Sequence, residues 1–245
     1  MSTEKICRIY EGHAVRQVTG DSIRPGGLSL TDRAINICAL PPGSKILDVG
    51  CGTGATVEHL IDKYKLNAVG VDPSAVLLEK GRQRRSDLPI FQAVGECLPF
   101  AQGDMDCIFA ECSLSLMINV DLALSEFHRV LKNNGLLVIS DIYARNPEGV
   151  CRLRSLPVES CLKGAMSKEG LIKRIDSAGF KIKLWEDHSD LLKELTFQLI
   201  MAHGSLENFW QSTSPGELDV IKIKQIIAKS GPGYFLLIAA KQERD

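Results

Sequence analysis

Lys45-Ile46-Leu47-Asp48-Val49-Gly50-Cys51-Gly52-Thr53-Gly54 is the stretch that decides the architecture. Its first five residues read as a short buried strand, and the glycines after it allow a tight turn and a close approach of ligand to backbone. Beyond it, Val57, Leu60, Ile61 and Tyr64 recur at helical spacing over residues 54–64. A strand that runs through glycines into a helix start offers unpaired N–H donors to a polar ligand.

Outward from this point the same alternation repeats. Short β-branched runs at 68–71, 90–93, 107–110 and 135–140 are separated by helical patterns at 74–85 and 121–132. The second helix is expected to start on an Asp121 cap and to stop before Asn133-Asn134-Gly135. The first 145 residues thus read βαβαβαβαβ, which implies a parallel sheet with right-handed crossovers. A helix at about 167–178, a strand at 180–186, helical spacing at 189–210 and 217–229 around a loop at 212–216, and a final strand at 234–240 after Gly231-Pro232-Gly233 complete the reading.

Composition narrows the function. At 245 residues, 44% apolar and 24% charged, the chain suits one full-sized domain. We divide it into an N-terminal flap with helices (1–40), a cofactor-binding half (41–145) and an acceptor-side half (146–245) with a helical insertion at about 189–229. A formal net charge of -1 gives no field for steering nucleic acid. The longest apolar runs, such as Tyr234 to Ala240, fall far short of the roughly 20 residues that cross a bilayer. Residues 1–8 lack the apolar stretch of a secretory signal, so the expected setting is the cytoplasm, as a monomer or homodimer. The eight cysteines show no Cys-x-x-Cys pair and no zinc spacing, so free thiols are expected and no metal.

The chemistry gathers at strand ends. Asp72, followed by Pro73, ends the second strand eighteen residues beyond Gly54, where a carboxylate can accept both ribose hydroxyls of an adenosine. Gly95-Glu96 follows the third strand, near where an adenine would lie. Gly50, Gly52 and Ala55 also satisfy the dinucleotide pattern G-x-G-x-x-G/A, so an NAD-binding oxidoreductase is a rival reading. Asp48 argues against it: a carboxylate there attracts a sulfonium ligand with an amino-acid tail and repels a pyrophosphate.

Ile46 to Gly54, Val69-Gly70-Val71-Asp72, Leu98-Pro99-Phe100 and Phe127 to Ser140 together resemble class I methyltransferases of type 11, over about residues 24–145. The resemblance implies a Rossmann-like, doubly wound α/β fold with helices on both faces. Its seven-stranded sheet would have the order 3214576, the last strand antiparallel. It also implies S-adenosylmethionine as cofactor and S-adenosylhomocysteine as product. Asp48, Gly50, Cys51, Gly52 and Gly54 would face the methionine moiety, Asp72 with Pro73 the ribose, and Gly95 and Glu96 the adenine. Val94 stands where the family often carries an adenine-contacting aspartate. Ala110, Glu111 and Cys112 occupy the methyl-transfer pocket, and Arg24 to Thr31, with Gly27, the flap over the cofactor.

Methyl transfer is an in-line displacement to a small-molecule acceptor, without an obligatory catalytic signature. Candidate bases are Glu111, His128, His188 and His203, with His188 favoured after its strand. Residues 140–145 and 159–165 also resemble arsenite methyltransferases, in which the position of Cys161 holds a thiolate ligand. That family uses a further cysteine nearer the C-terminus, and none follows 161 here. A non-catalytic cofactor-binding module is the third class of reading. The apolar stretch Leu191 to Trp210 suits a lid over the acceptor or an interface.

Overall fold

The computed structural model describes residues 8–158, 160–213 and 218–243. Among the described residues, the helices α1 (Arg8–Glu11), α2 (His13–Thr19) and α3 (Gly27–Cys38) precede the alternating region. There β1 (Lys45–Val49), α4 (Ala55–Tyr64), β2 (Asn67–Asp72), α5 (Ala75–Arg84), β3 (Ile90–Gln92), β4 (Met105–Glu111), α6 (Val120–Val130) and β5 (Leu131–Ala144) follow one another. The rest of the chain holds α7 (Val150–Leu153), α8 (Cys161–Gly164), β6 (Met166–Ser167), α9 (Lys168–Ser177), β7 (Phe180–Asp187), α10 (Ser189–His203), α11 (Leu206–Thr213), α12 (Val220–Ser230) and β8 (Pro232–Lys241).

The strands form one sheet in the order β3-β2-β1-β4-β5-β8-β7, with the two-residue β6 beside the end of β5. β3, β2, β1, β4 and β5 are parallel, and β8 runs antiparallel to both β5 and β7. Without the short β6 this is the expected seven-stranded order with its last strand reversed. Side chains alternate across the pleat, so neighbours part company. Ile46, Phe109, Val138 and Leu236 enter one buried cluster, while Leu47, Ile108, Ile139 and Phe235 enter the other, beneath α6 and α9. Strands buried on both sides explain why β1 and β5 read as nearly unbroken apolar runs.

Several boundaries depart from the sequence reading for local reasons. Helix α6 is capped by Asn119, whose side chain accepts from the Leu122 N–H at 3.1 Å, and Asp121 lies in its first turn. The helix ends at Val130, because Leu131 is fully buried and pairs with Met105 as strand. Asn133-Asn134-Gly135 is therefore an irregularity inside β5, with Asn134 left-handed at φ 60°, and the register shifts between Met105 and Cys107. The long stretch from 189 breaks at Gly204, left-handed at φ 79°. Of the expected loop at 212–216, residues 214–216 lie outside the described residues, as does Glu159. Among the described residues no helix is long and apolar enough to cross a membrane.

Helix α3 is strapped down by charge. Arg33 forks onto both carboxylate oxygens of Glu186 on β7, and Asp32 accepts from Lys63 (2.8 Å) and Tyr64 (2.8 Å) and meets His59 (2.5 Å) on α4. Arg33 holds the Glu186 carboxyl near 2, against partial burial and with help from His188. Asp32 also sits near 2; burial acts upward, and the bonds from Lys63, His59 and Tyr64 outweigh it. Both folded values lie below the ordinary 4.5 and 3.8, so this stabilisation is complete above those values. It is lost as pH falls through about 2. The melting-temperature difference between wild type and Arg33→Met should be present at neutral pH and vanish toward pH ~2. Thermal denaturation followed by circular dichroism against pH checks this.

Candidate functional site

At the C-terminal ends of the parallel strands the chain leaves a cavity of about 390 Å³. Ligands of open α/β sheets bind in this position. Its floor is the glycine loop. The N–H groups of Gly50 and Cys51 both donate to the Val71 carbonyl, at 2.8 and 3.0 Å, which ties the loop to the end of β2. Gly50 has φ 81°, and a Cβ there would overlap the Ser113 side chain. Gly52 has φ 56° with open space where a Cβ would stand.

Asp72 is the fixed carboxylate of the cavity wall. Its Oδ2 accepts from the Gly52 N–H and its Oδ1 from the Ser74 N–H, both at 2.8 Å. Burial raises its pKa, and the two backbone donors oppose that rise. Ser74 in turn caps α5 by accepting from Leu77 and donates to Glu11 of α1 at 2.6 Å. The loop, the second strand and the N-terminal segment therefore share one carboxylate.

The structure brings Gly50, Gly52, Asp72, Pro73, Gly95, Glu96 and Glu111 together around the cavity, as the sequence suggested, with Val94 and Cys112. Glu96 accepts from the backbone N–H of Ile118 and Asn119 at 2.8 and 3.1 Å, so its carboxylate shapes the wall beyond Val94.

Other sequence candidates sit elsewhere. Asp48 is buried behind the loop, off the cavity wall. Burial and the neighbouring Glu111 raise its pKa well above the carboxylate range, while Arg24 pulls it down. The Cys51 side chain packs where Gly70 leaves room, and Gly54 is the left-handed cap of α4; neither lines the cavity. Gly27 opens α3 away from the cavity, while its neighbour Gly26 packs against Leu191 of α10. His188 also lies off the cavity, bonded to Glu186 at 2.9 Å, because strand β7 is an edge two strands beyond β5. His203 meets the Ala14 carbonyl and His128 the Gln242 carbonyl.

Glu111 lines the cavity but its oxygens are occupied. Thr31 donates to Oε1 at 2.9 Å, Thr56 to Oε2 at 3.0 Å, and the Arg24 guanidinium pairs with Oε2 at 3.0 Å. Arg24 also donates to Thr31 at 2.6 Å. Held by these three donors, Glu111 anchors the flap, where the sequence reading expected a base. The flap has further ties: Thr53 donates to the Asp21 carbonyl, and Arg84 pairs with Asp21 at 3.2 Å.

The sequence reading missed Tyr10, Ile23 and the contacts of Arg24. Tyr10 and Ile23 line the cavity from the N-terminal segment, which carries no periodic or motif signal. The Tyr10 hydroxyl accepts from the Cys161 N–H at 2.9 Å, so Cys161 stands behind Tyr10 and off the cavity. Cys112, left-handed at φ 53°, donates its thiol to Tyr234 at 3.3 Å. Burial, helped by Asp141, pushes the Cys161 thiol up to about 12, and burial raises Cys112 likewise. Gly164 is what lets α8 sit here, since a Cβ would overlap the Ser115 carbonyl.

Comparison with known proteins agrees with this geometry. Residues 47–139 match a family model described as a methyltransferase domain. An uncharacterized methyltransferase, YodH of Bacillus subtilis, is 35% identical over 130 residues, covering 50% of this chain and 54% of the relative. The chain thus spans about half the length of that relative. The ubiquinone/menaquinone biosynthesis C-methyltransferase UbiE of Campylobacter jejuni is 28% identical over 166 residues, 56% of this chain and 71% of the relative. Phosphoethanolamine N-methyltransferase 2 of Haemonchus contortus, solved with S-adenosyl-L-methionine, superposes with a TM-score of 0.74 at 18% identity, covering 99% of this chain and 60% of that one. Over residues 47–139 the chain is thus similar to a methyltransferase domain, and its sheet order and glycine loop are consistent with that likeness.

Two substitutions separate the loop's needs. Gly50→Ala combines a left-handed alanine, about 1–2 kcal/mol, with overlap on Ser113, whereas Gly52→Ala carries only the conformational cost. Gly50→Ala should show the larger fall in melting temperature. Arg24→Ala leaves Glu111 buried without its cation and should cost about 3–5 kcal/mol in urea denaturation.

Proposed function

We propose that the chain transfers a methyl group from S-adenosylmethionine to a small-molecule acceptor by in-line displacement. The observation that carries this is Asp72: a carboxylate on the cavity wall, clamped by Gly52 and Ser74 and standing at the end of β2. Each of its oxygens keeps acceptor capacity for a ribose hydroxyl. The residues fit the rest of the cofactor too. The loop at Gly50 and Gly52 gives close backbone approach for the methionine moiety. Val94, Gly95 and Glu96 wall the adenine end, with Pro73 beside the ribose.

When bound, S-adenosylmethionine supplies an electrophilic methyl on a sulfonium. The chain supplies alignment and dryness. Tyr10 and Ile23 close the cavity from the flap, and Cys112 and Ser113 form the opposite wall at the end of β4. In this reading one domain holds cofactor in residues 41–145 and acceptor against residues 1–40 and 146–245. It works in the cytoplasm, as a monomer or homodimer, on a small molecule and not on nucleic acid.

A second reading, transfer to a soft acceptor such as arsenic(III), draws on Cys112 lining the cavity and Cys161 lying behind Tyr10. Burial keeps both thiols protonated, so such an acceptor has to displace their protons on binding. Loss of arsenite methylation in Cys161→Ser, with cofactor affinity kept, is the outcome that favours it.

Calorimetric titration with S-adenosylmethionine, S-adenosylhomocysteine and NAD tests the main reading. The two adenosyl ligands should bind, and Asp72→Ala should weaken them by roughly 10- to 100-fold, the size of one or two lost hydrogen bonds to a charged group. Binding of NAD in their place would overturn the assignment.

A further inference from the structure

The methyl-transfer end of the cavity lies at the end of β4, two strands and roughly 10 Å from Asp72. It has an unusual charge content. Among the described residues no lysine, arginine or histidine lines the cavity. The nearby guanidinium, Arg24, is spent on Glu111 and Thr31. An acceptor carrying phosphate or carboxylate would meet Glu111 with no cation to hold it.

The titratable groups of the wall are tied to the chain. Asp72, Glu96 and Glu111, the carboxylates on the wall, all accept bonds from the chain itself. His188, His203, His128 and His59 are bonded to Glu186, Ala14, Gln242 and Asp32, away from the wall. Burial leaves the Tyr10 phenol and the Cys112 thiol protonated at neutral pH. Tyr10 is the aromatic residue on the described wall, and the Cys161 N–H fixes its hydroxyl at 2.9 Å, so the ring has a set position. A fixed aromatic face over a dry site attracts a cation.

We propose that the acceptor is a neutral molecule that brings its own lone pair, a thioether, and that its product is a sulfonium cation held against the Tyr10 ring. The inference rests on the methyltransferase reading above. The acceptor's sulfur lone pair forms the new bond to the methyl carbon while the S–CH₃ bond of the cofactor's sulfonium breaks. The electron pair of that bond stays on the departing sulfur, which becomes a neutral thioether. The positive charge passes to the acceptor, and no proton moves.

The test uses the full chain saturated with S-adenosylhomocysteine, whose own binding by calorimetry reports separately on the cofactor reading. Trimethylsulfonium and S-methyltetrahydrothiophenium are added as product mimics, beside the anions cyclopentanecarboxylate and tetrahydrothiophene-2-carboxylate. The onium ions should raise the melting temperature of the complex in a concentration-dependent way, and the carboxylates should not. Tyr10→Phe should keep the shift and Tyr10→Leu should lose it, with S-adenosylhomocysteine still bound in both. Stabilisation by the carboxylates, stabilisation by none of the four, or an onium shift that survives Tyr10→Leu overturns the proposal.

Discussion

The ion pair between Arg24 and Glu111 joins the N-terminal flap to the centre of the sheet. Both side chains are buried, so their charges are worth having only together, with Thr31 and Thr56 also donating to the carboxylate. Glu111 ends β4, Thr56 opens α4, Thr31 sits in α3, and Arg24 lies in the segment before it. Four pieces of chain are thus held at one point, which places Ile23 over the cavity and puts Asp48 in a field that Glu111 and Arg24 set in opposite senses.

Around that anchor the cofactor side is built almost wholly from backbone. The Val71 carbonyl collects the first two N–H groups of the loop, and Asp72 collects two more. Backbone groups so engaged cannot drift, and the loop keeps a shape that only glycine permits at 50. This is preorganisation of the kind binding sites need, because the ordering cost is met in folding.

The acceptor side is held by different means. Asp141, buried and with its pKa raised by that burial to about 6, accepts from Ser115 N–H, Ser115 hydroxyl and Ile142 N–H. The 3₁₀ turn at Leu114–Leu116 is pinned there, and Gly164 brings α8 onto it. Tyr10 is then fixed by the backbone of Cys161. A polar network thus sets the wall that an acceptor would meet, while burial keeps its thiols and phenols in their neutral forms.

The sequence by itself determined the succession of strands and helices from β1 to β5, the glycine loop and the position of Asp72 at a strand end, since each of these rests on neighbouring residues: periodicity, the φ freedom of glycine and the spacing between strand ends. It misplaced the start of β5, because the burial of Leu131 outweighed the turn signal of Asn133-Asn134-Gly135. It also took Glu111 and His188 for bases and set Gly27, Cys51 and Gly54 on the ligand. Only the tertiary structure decided those, through Thr31 and Arg24, each 80 residues or more from Glu111, and a sheet edge for His188. Whether a carboxylate is free or spent depends on what folds against it, and that information is spread over the chain instead of being written in any one stretch.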